Sequence, residues 1–237
     1  MSTLMLRRSE TLTKIDLFRS LKDNDIAKLD TQCTWRRASA NEWIITYQDE
    51  SHDVFFVVSG LVQVKIQAIS GRETLLREIA AGEYFGELAA IDGNPRSSGI
   101  LAVTETTIAR MPAKTFRTAI LSSPSLSNQL LRHLAGQVRT LANRINEYST
   151  LDVRTRLYAE LLRLARPDRR DGNRAMVTPP PLHADLAARI STRREAISRE
   201  LKLLERSGLV ERHRGGILLA DVSGLRHLLD KEVDEAH

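Results

Sequence analysis

The residues best suited to chemistry in this 237-residue chain lie in one short run. It reads Gly82-Glu83-Tyr84-Phe85-Gly86-Glu87-Leu88-Ala89-Ala90-Ile91, followed by Asn94-Pro95-Arg96-Ser97-Ser98. Gly86 lets the backbone come close to a ligand, and Glu87 to Ile91 can begin a short helix whose free N–H groups suit an anion. Asn94-Pro95 makes a turn that presents Arg96, whose planar guanidinium is shaped to grip a phosphate through two parallel hydrogen bonds. Ser97 adds a hydroxyl donor, and Glu87 can accept from a sugar hydroxyl. An anion with an attached sugar would satisfy all of these groups at once. Taken singly, each has a plainer reading: Arg96 as a solvated turn residue, Glu87 as a first-turn acid favoured by the helix dipole.

A second run, Leu182 to Leu204, has a different chemistry. Two short amphipathic helices meet near Ile190–Thr192, with Leu186, Ala187 and Ile190 facing inward from the first and Ile197, Leu201 and Leu204 from the second. The opposite face of the second helix carries Arg194, Glu195, Ser198, Arg199 and Lys202, with Arg193 just ahead of it. Arg189 to Arg214 holds eight basic and four acidic residues, most of the chain's net charge of +5. That concentration is an electrostatic footprint for nucleic acid. Gly208-Leu209-Val210 through Arg214-Gly215-Gly216-Ile217-Leu218-Leu219 reads as two short strands with a glycine tip, a wing. The plainer alternatives are a salt-laced surface helix with a hairpin and, for Thr192-x-x-Glu195, a capping box that needs no DNA.

Several elements must position these runs. Leu12 to Leu29 has helical spacing through Leu17, Leu21, Ile26 and Leu29. Short β-branched and aromatic runs follow at Trp43–Thr46, Val54–Val58, Leu61–Ile66, Leu75–Ile79, Ile100–Val103 and Thr107–Met111, punctuated by glycines. They predict an antiparallel barrel or sandwich, with Val62, Val64 and Ile66 on an inward face. Past Pro124, the residues Leu131, Leu134, Val138, Leu141, Ile145 and Tyr148 form a heptad seam, which favours a two-stranded dimer contact over a helix that merely covers the β-domain. A further helix spans Val153 to Leu164, Arg166 to Pro181 reads as a loop, and Leu182 to Leu229 is helical with an interruption at Gly215–Gly216.

Composition sets the outer bounds. Hydrophobic residues make up 42% and charged residues 27%, ordinary for a globular chain. The single cysteine, Cys33, excludes an internal disulfide and a cysteine-ligated iron–sulfur cluster, and no metal is expected. Met1 to Leu12 does not read as a secretory signal and no apolar run reaches bilayer length, so a cytoplasmic protein without membrane contact is expected. The histidines, His52, His133, His183, His213, His227 and His237, are scattered and read as surface residues or caps. There is no P-loop, nucleophile elbow or metal-ligand spacing, and Glu87 has no partner acid, so no catalytic residues are assigned and an enzyme is not expected.

As an ordered set, including the interval from Glu87 to Arg96, the first run resembles the phosphate-binding cassette of cyclic-nucleotide-binding domains. The resemblance implies that Arg96 and Ser97 bind the phosphate, with backbone from Gly86 and Leu88, and that Glu87 binds the ribose 2′-hydroxyl. From about Leu12 onward, the segments together resemble the cyclic AMP receptor protein/fumarate–nitrate reductase regulator family of bacterial transcription factors. The implied fold is α+β: an N-terminal antiparallel β-roll with a long dimerisation helix over 1–150, then a winged helix-turn-helix over 151–237, hinged near Leu151-Asp152. In that family an Arg-Glu-x-x-x-Arg arrangement reads a TGTGA-type half-site, and here it is Arg194-Glu195-Ala196-Ile197-Ser198-Arg199. The resemblance thus implies DNA contacts from Arg193, Arg194, Glu195, Ser198, Arg199 and Lys202. It also implies a homodimer through the helix around Leu131–Tyr148, and RNA polymerase as a further partner. Where the cyclic AMP receptor places a Thr-Ser pair against adenine, this chain has Leu141-Ala142, flanked by Thr140 and Asn143, which can substitute. Cyclic AMP and cyclic GMP therefore both stand as allosteric ligands. Another nucleotide such as cyclic di-GMP, or DNA binding without ligand, are the alternatives.

Overall fold

The computed structural model describes residues 11–67 and 73–235. Two compact units divide between Gln137 and Val138. The first opens with two 3-10 turns, Leu12–Lys14 and Asp16–Phe18, and helix α1 (Asp23–Asp30). The strands β1 (Thr34–Ala38), β2 (Trp43–Ile45), β3 (Val54–Ser59), β4 (Leu61–Gln67), β5 (Glu73–Ala80) and β6 (Tyr84–Phe85) lead to α2 (Glu87–Asp92). Then come β7 (Gly99–Ala102), β8 (Thr106–Met111), α3 (Ala113–Ser122) and the long α4 (Pro124–Thr150), which runs through the unit boundary.

The roll is two antiparallel sheets, ordered β1-β8-β3-β6 and β2-β7-β4-β5. Between them lie Ile45, Phe55, Val57, Val62, Val64, Ile79, Phe85, Ile100 and Ile108, all buried. Of the inward face expected on β4, Val62 (paired to Ile79) and Val64 (paired to Arg77) lie in this core, whereas Ile66, past a register shift between Val64 and Lys65, is half-buried, and Gln63 and Lys65 are buried as well. Gly60 turns the β3–β4 hairpin at φ +94°, and a Cβ there would sit 2.4 Å from Thr106 Oγ1, so only glycine fits. The expected single helix over Leu12–Leu29 is not formed. Leu12, Ile15, Leu17 and Phe18 are all buried, too closely spaced for one helical stripe, so the chain wraps the core in turns and extended backbone before α1 begins.

The second unit adds α5 (Val153–Leu164), β9 (Arg166–Pro167), β10 (Ala175–Val177), α6 (His183–Arg189), α7 (Arg194–Arg206), β11 (Val210–His213), β12 (Gly216–Leu219) and α8 (Val222–Glu235). Asp152 caps α5, its Oδ1 accepting from Thr155 N at 2.8 Å. The region 166–181, expected as a loop, supplies two strands to the sheet β11-β12-β10-β9, because Ala175 and Val177 bury against the wing. Ile197, Leu201 and Leu204 of α7 are buried as expected, each contributing about 1.5–3 kcal/mol of hydrophobic stabilisation. On α4, Leu126 and Leu130 are buried in the first unit's core. Beyond them Leu131, Val138 and Ile145 are each 65% exposed and Leu141 is 44% exposed. Among the described residues no helix is long and apolar enough to cross a membrane.

Candidate ligand cassette and nucleic-acid interface

The cassette is assembled around Gly86, which caps α2 in the left-handed conformation at φ +84°. A Cβ at Gly86 would lie 2.7 Å from Arg96 Nη1, so glycine is what lets the guanidinium come alongside the backbone. Arg96 is 3% exposed. Its Nε donates to Ser51 Oγ at 3.1 Å, Nη1 to the Gly86 carbonyl at 3.0 Å and Nη2 to the Asp53 carbonyl at 2.7 Å. The guanidinium also stands 5.7 Å over the Phe55 ring. All of these partners are neutral, and no ion pair to Arg96 is formed among the described residues. Burial lowers its pKa, opposed by Asp49, Asp53 and Glu87, yet a guanidinium stays charged. A buried cation with two of its five N–H groups unused is a site for an anion. The solvated-turn reading of Arg96 does not hold.

The fold brings Gly86, Glu87, Leu88, Arg96 and Ser97 together. Glu87 is 3% exposed and accepts from Gln137 Nε2 of α4 at 3.3 Å. Leu88 and Ser97 are exposed at the rim. Thr140 and Asn143 lie further along α4, past the unit boundary, and are exposed.

Sequence reasoning missed four residues of this site. His133, expected at the surface or in a cap, is half-buried with its ring centroid 4.7 Å from that of Tyr84. The Gln137 amide nitrogen donates to Glu87 at 3.3 Å and also contacts His133 Nε2, so one side chain of α4 joins the acid and the histidine. Burial, and then Arg77, lower the His133 pKa, while Glu87 and Glu83 oppose them. Burial likewise raises the pKa of Tyr84, whose hydroxyl has no hydrogen-bond partner among the described residues. The legible signal was a polar pair four residues apart on the face of α4 that buries Leu130, since such residues share a face. Arg77 was equally legible, a charge two positions from Ile79 on an inward strand face.

In the second unit, α6 and α7 are joined through Ser191 at φ +54°. The capping box is absent: α7 starts at Arg194, its N-cap is Arg193, and no side chain caps it. Arg193, Arg194, Glu195, Arg199 and Lys202 are exposed, and Ser198 is half-buried. Among the described residues, Arg194, Glu195, Arg199 and Lys202 make no side-chain hydrogen bond or ion pair, so this face is uncommitted. Ser198 donates to the Arg194 carbonyl at 3.1 Å and contacts His183 Nδ1 at 2.8 Å. His183 is thus another histidine with a structural role, its pKa lowered by burial and by Arg212 and Arg194.

The face is held from behind by ion pairs. Glu200 of α7 meets Arg154 at 2.8 Å, and Glu205 meets Arg212 of the wing. Glu160 of α5 is fully buried among Arg144, Arg163 and Arg189, a cluster the sequence did not reveal. Arg144 Nη1 and Tyr148 Oη, both on α4, donate to the Arg189 carbonyl at 2.7 and 2.9 Å, satisfying an otherwise orphaned group at the end of α6.

A β-roll with an anion-holding cassette, followed by a winged helix with a basic outward face, defines a nucleotide-binding transcription regulator. Residues 35–123 match the cyclic nucleotide-binding domain family, and residues 155–228 match the Crp-like helix-turn-helix domain. The chain is 27% identical over 213 residues to the CRP-like cAMP-activated global transcriptional regulator of Mycobacterium tuberculosis, covering 90% of this chain and 95% of that one. It is 25% identical to the cAMP-activated global transcriptional regulator of Haemophilus influenzae, covering 86% and 95%. Among solved structures, a CooA mutant from Carboxydothermus hydrogenoformans aligns with a TM-score of 0.76 at 22% identity, over 91% of this chain and 95% of that one. The c-di-GMP-responsive global regulator CLP of Xanthomonas campestris aligns at 0.69 and 20% identity, over 84% and 99%. These last two likenesses speak for the fold. The chain belongs to the cyclic AMP receptor protein/fumarate–nitrate reductase regulator family, whose members are transcription regulators rather than enzymes.

Proposed function

We propose that this protein is a homodimeric regulator that binds cyclic AMP or cyclic GMP and, in response, recognises an inverted repeat of TGTGA-type half-sites. The observation that carries the ligand reading is the buried Arg96 guanidinium, held only by neutral acceptors beside Gly86. Arg96 and Ser97 take the phosphate with the backbone at Gly86 and Leu88, and Glu87 takes the ribose hydroxyl. Thr140 and Asn143 are assigned to the base. The seam from Leu131 to Tyr148 is the dimer contact, carried by the exposed Leu131, Val138, Leu141 and Ile145, since apolar a/d positions are stable only when a second helix covers them; Leu134 and Tyr148 are half-buried within the chain itself. The working division falls after Thr150, with 1–150 sensing and 151–237 reading DNA. RNA polymerase is the expected further partner, and the cytoplasm the place of action.

On α7, Arg194 and Arg199 call for guanines, and Glu195 for a cytosine amine on the complementary strand. Arg193, Ser198 and Lys202 add phosphate or base contacts. In a two-fold dimer the recognition helices enter major grooves about 34 Å apart, hence the inverted repeat. The test is calorimetric titration with cyclic AMP, cyclic GMP and cyclic di-GMP, followed by binding-site selection with and without the nucleotide that binds. Arg96→Ala abolishes nucleotide binding if the cassette reading holds, and normal binding by that variant overturns it. Glu195→Gln and Arg199→Ala change the selected motif, whereas Lys202→Ala weakens all sequences alike. An unchanged motif for the first two removes α7 as the base reader.

A further inference from the structure

His183 opens α6 and is half-buried, with its Nδ1 2.8 Å from Ser198 Oγ on α7. Ser198 in turn donates to the Arg194 carbonyl at 3.1 Å, so one hydroxyl joins the histidine to the first residue of α7. A hydroxyl can accept as well as donate, and the contact is therefore open to a neutral and to a charged imidazole alike. His183 also lines a cavity of about 210 Å³, together with Leu201 and Glu205 of α7 and with Arg212, His213 and Ile217 of the wing. That space admits water, so the ring can exchange a proton with solvent although the residue is half-buried.

The charges around this ring are unbalanced. Arg194 of α7 makes no ion pair among the described residues, and Arg212 of the wing is paired with Glu205. Asp185 lies two residues further along α6, and His213 shares the cavity. Burial first, then Arg212 and Arg194, hold the His183 pKa below the ordinary 6.5, against the pull of Glu205. The free chain thus carries a neutral histidine beside Arg194 at neutral pH. A duplex seated against α7 brings phosphates to the same face, one negative charge per about 1.7 Å of helix axis. Negative charge nearby favours the imidazolium and offsets the two arginines that disfavour it.

We propose that His183 couples DNA binding to proton uptake: a duplex on α7 draws a proton onto His183, and operator affinity rises as the pH falls. This rests on the reading of α7 as the DNA-facing helix. Above the DNA-bound pKa the histidine is neutral with and without DNA, and below the free pKa it is charged in both, so affinity is level on either side. Between the two values the bound state holds one more proton for each α7, and each unit of difference is tenfold in affinity. Acid thereby acts as a co-ligand at the DNA-reading unit itself.

The test measures the affinity of the full chain for a duplex carrying an inverted repeat of TGTGA half-sites, at pH 7.5 and 5.5 and fixed ionic strength. Cyclic AMP and cyclic GMP are both present at saturation, and the variants are His183→Gln, His183→Arg and His213→Gln. The parent binds roughly tenfold tighter per α7 at pH 5.5, and calorimetry near pH 6.5 in buffers of different ionisation enthalpy registers proton uptake. His183→Gln keeps a hydrogen-bonding group for Ser198 and holds the parent's pH 7.5 affinity at both values. His183→Arg carries a fixed charge and is tight at both; it carries the test should the glutamine variant fail to fold. His213→Gln behaves as the parent does. Equal parent affinities at the two pH values, or a dependence unchanged in both His183 variants, overturns the proposal and leaves α7 standing as the DNA reader. A dependence lost in His213→Gln alone gives the proton to the neighbour and overturns it too. A parent that binds neither this duplex nor a random-sequence one at either pH overturns the reading of α7 and this proposal with it.

Discussion

Replacing Glu160 by glutamine removes one charge and almost no volume, which makes it a clean probe of the second unit. The Glu160 carboxylate is fully buried and is shared by Arg144 at 3.4 Å, Arg189 at 3.3 Å and Arg163. The Arg144 and Arg189 side chains are only 15% and 9% exposed, so neither can turn to water when the carboxylate is lost. Arg163 is 40% exposed and keeps a second partner in Glu147, so its share is discounted to below about 1 kcal/mol. Removing one partner of a buried ion pair costs about 3–5 kcal/mol, because the remaining charge stays desolvated. For a unit of about 100 residues, 1 kcal/mol moves the midpoint by roughly 4–8 °C, so Glu160→Gln lowers it by at least about 12 °C. Differential scanning calorimetry at fixed protein concentration reads this, with Arg163→Ala as the exposed control that moves the midpoint by only a few degrees. A Glu160→Gln midpoint within about 3 °C of the parent would show that the cluster is solvated and that the burial argument is wrong.

Three other outcomes follow from the same geometry. The His133 pKa is lowered, by burial first and Arg77 second, so the unfolded chain takes up its proton before the folded one as pH falls. First-unit stability is thus lost as pH drops below the ordinary value of 6.5 and is flattened in His133→Gln; both tryptophans, Trp35 and Trp43, lie in the first unit, so urea midpoints read by their fluorescence at pH 7.5 and 5.5 check it. Val138→Asp places a charge in the exposed seam without touching either core, so on the proposed dimer reading sedimentation velocity shows a dimeric parent and a monomeric variant; a monomeric parent, or a variant that stays dimeric, removes the seam as the interface. Asp152→Ala removes the cap on Thr155 N and costs about 1 kcal/mol, a midpoint shift of roughly 4–8 °C in the second unit, and no shift would mean that water replaces the cap.

Much of the scaffold was legible because it follows backbone periodicity. β3, β4, β7 and β8 lie within a residue or two of their expected spans, and α5 falls on Val153–Leu164 as expected. What escaped depended on tertiary packing. β1 carries exposed Arg36 and Arg37 and has no alternation to find, and β6 is two residues long. β10 is a strand only because β12 pairs with it. Thr192 fails as a cap because its own N–H is drawn to the Ala187 carbonyl at 2.9 Å, which moves the helix start to Arg194. The cassette residues on one loop were visible as an ordered run. His133, Gln137 and Arg77 left only their spacing on a helix face and a strand face as a signal, since the role of each is defined by what another element brings to it.

That last group bears on how ligand and DNA communicate. Gln137 holds Glu87 from α4, and seven residues along the same helix Arg144 ties α4 to the end of α6. A ribose hydroxyl that binds Glu87 competes with the Gln137 amide for the same carboxylate, and releasing Gln137 also releases its bond to His133. On the proposed reading of the cassette, nucleotide would therefore rewrite the contacts of the helix that also carries Arg144. Its effect can be no larger than its differential affinity for the two arrangements, and couplings of this kind are about 1–3 kcal/mol. Linkage makes the coupling reciprocal, so saturating operator DNA tightens nucleotide binding by the same factor that nucleotide tightens DNA binding. Gln137→Ala, which removes the competing donor, raises nucleotide affinity while reducing that factor. Equal nucleotide affinity with and without operator, or an undiminished factor in Gln137→Ala, would mean that α4 does not carry the signal through this contact.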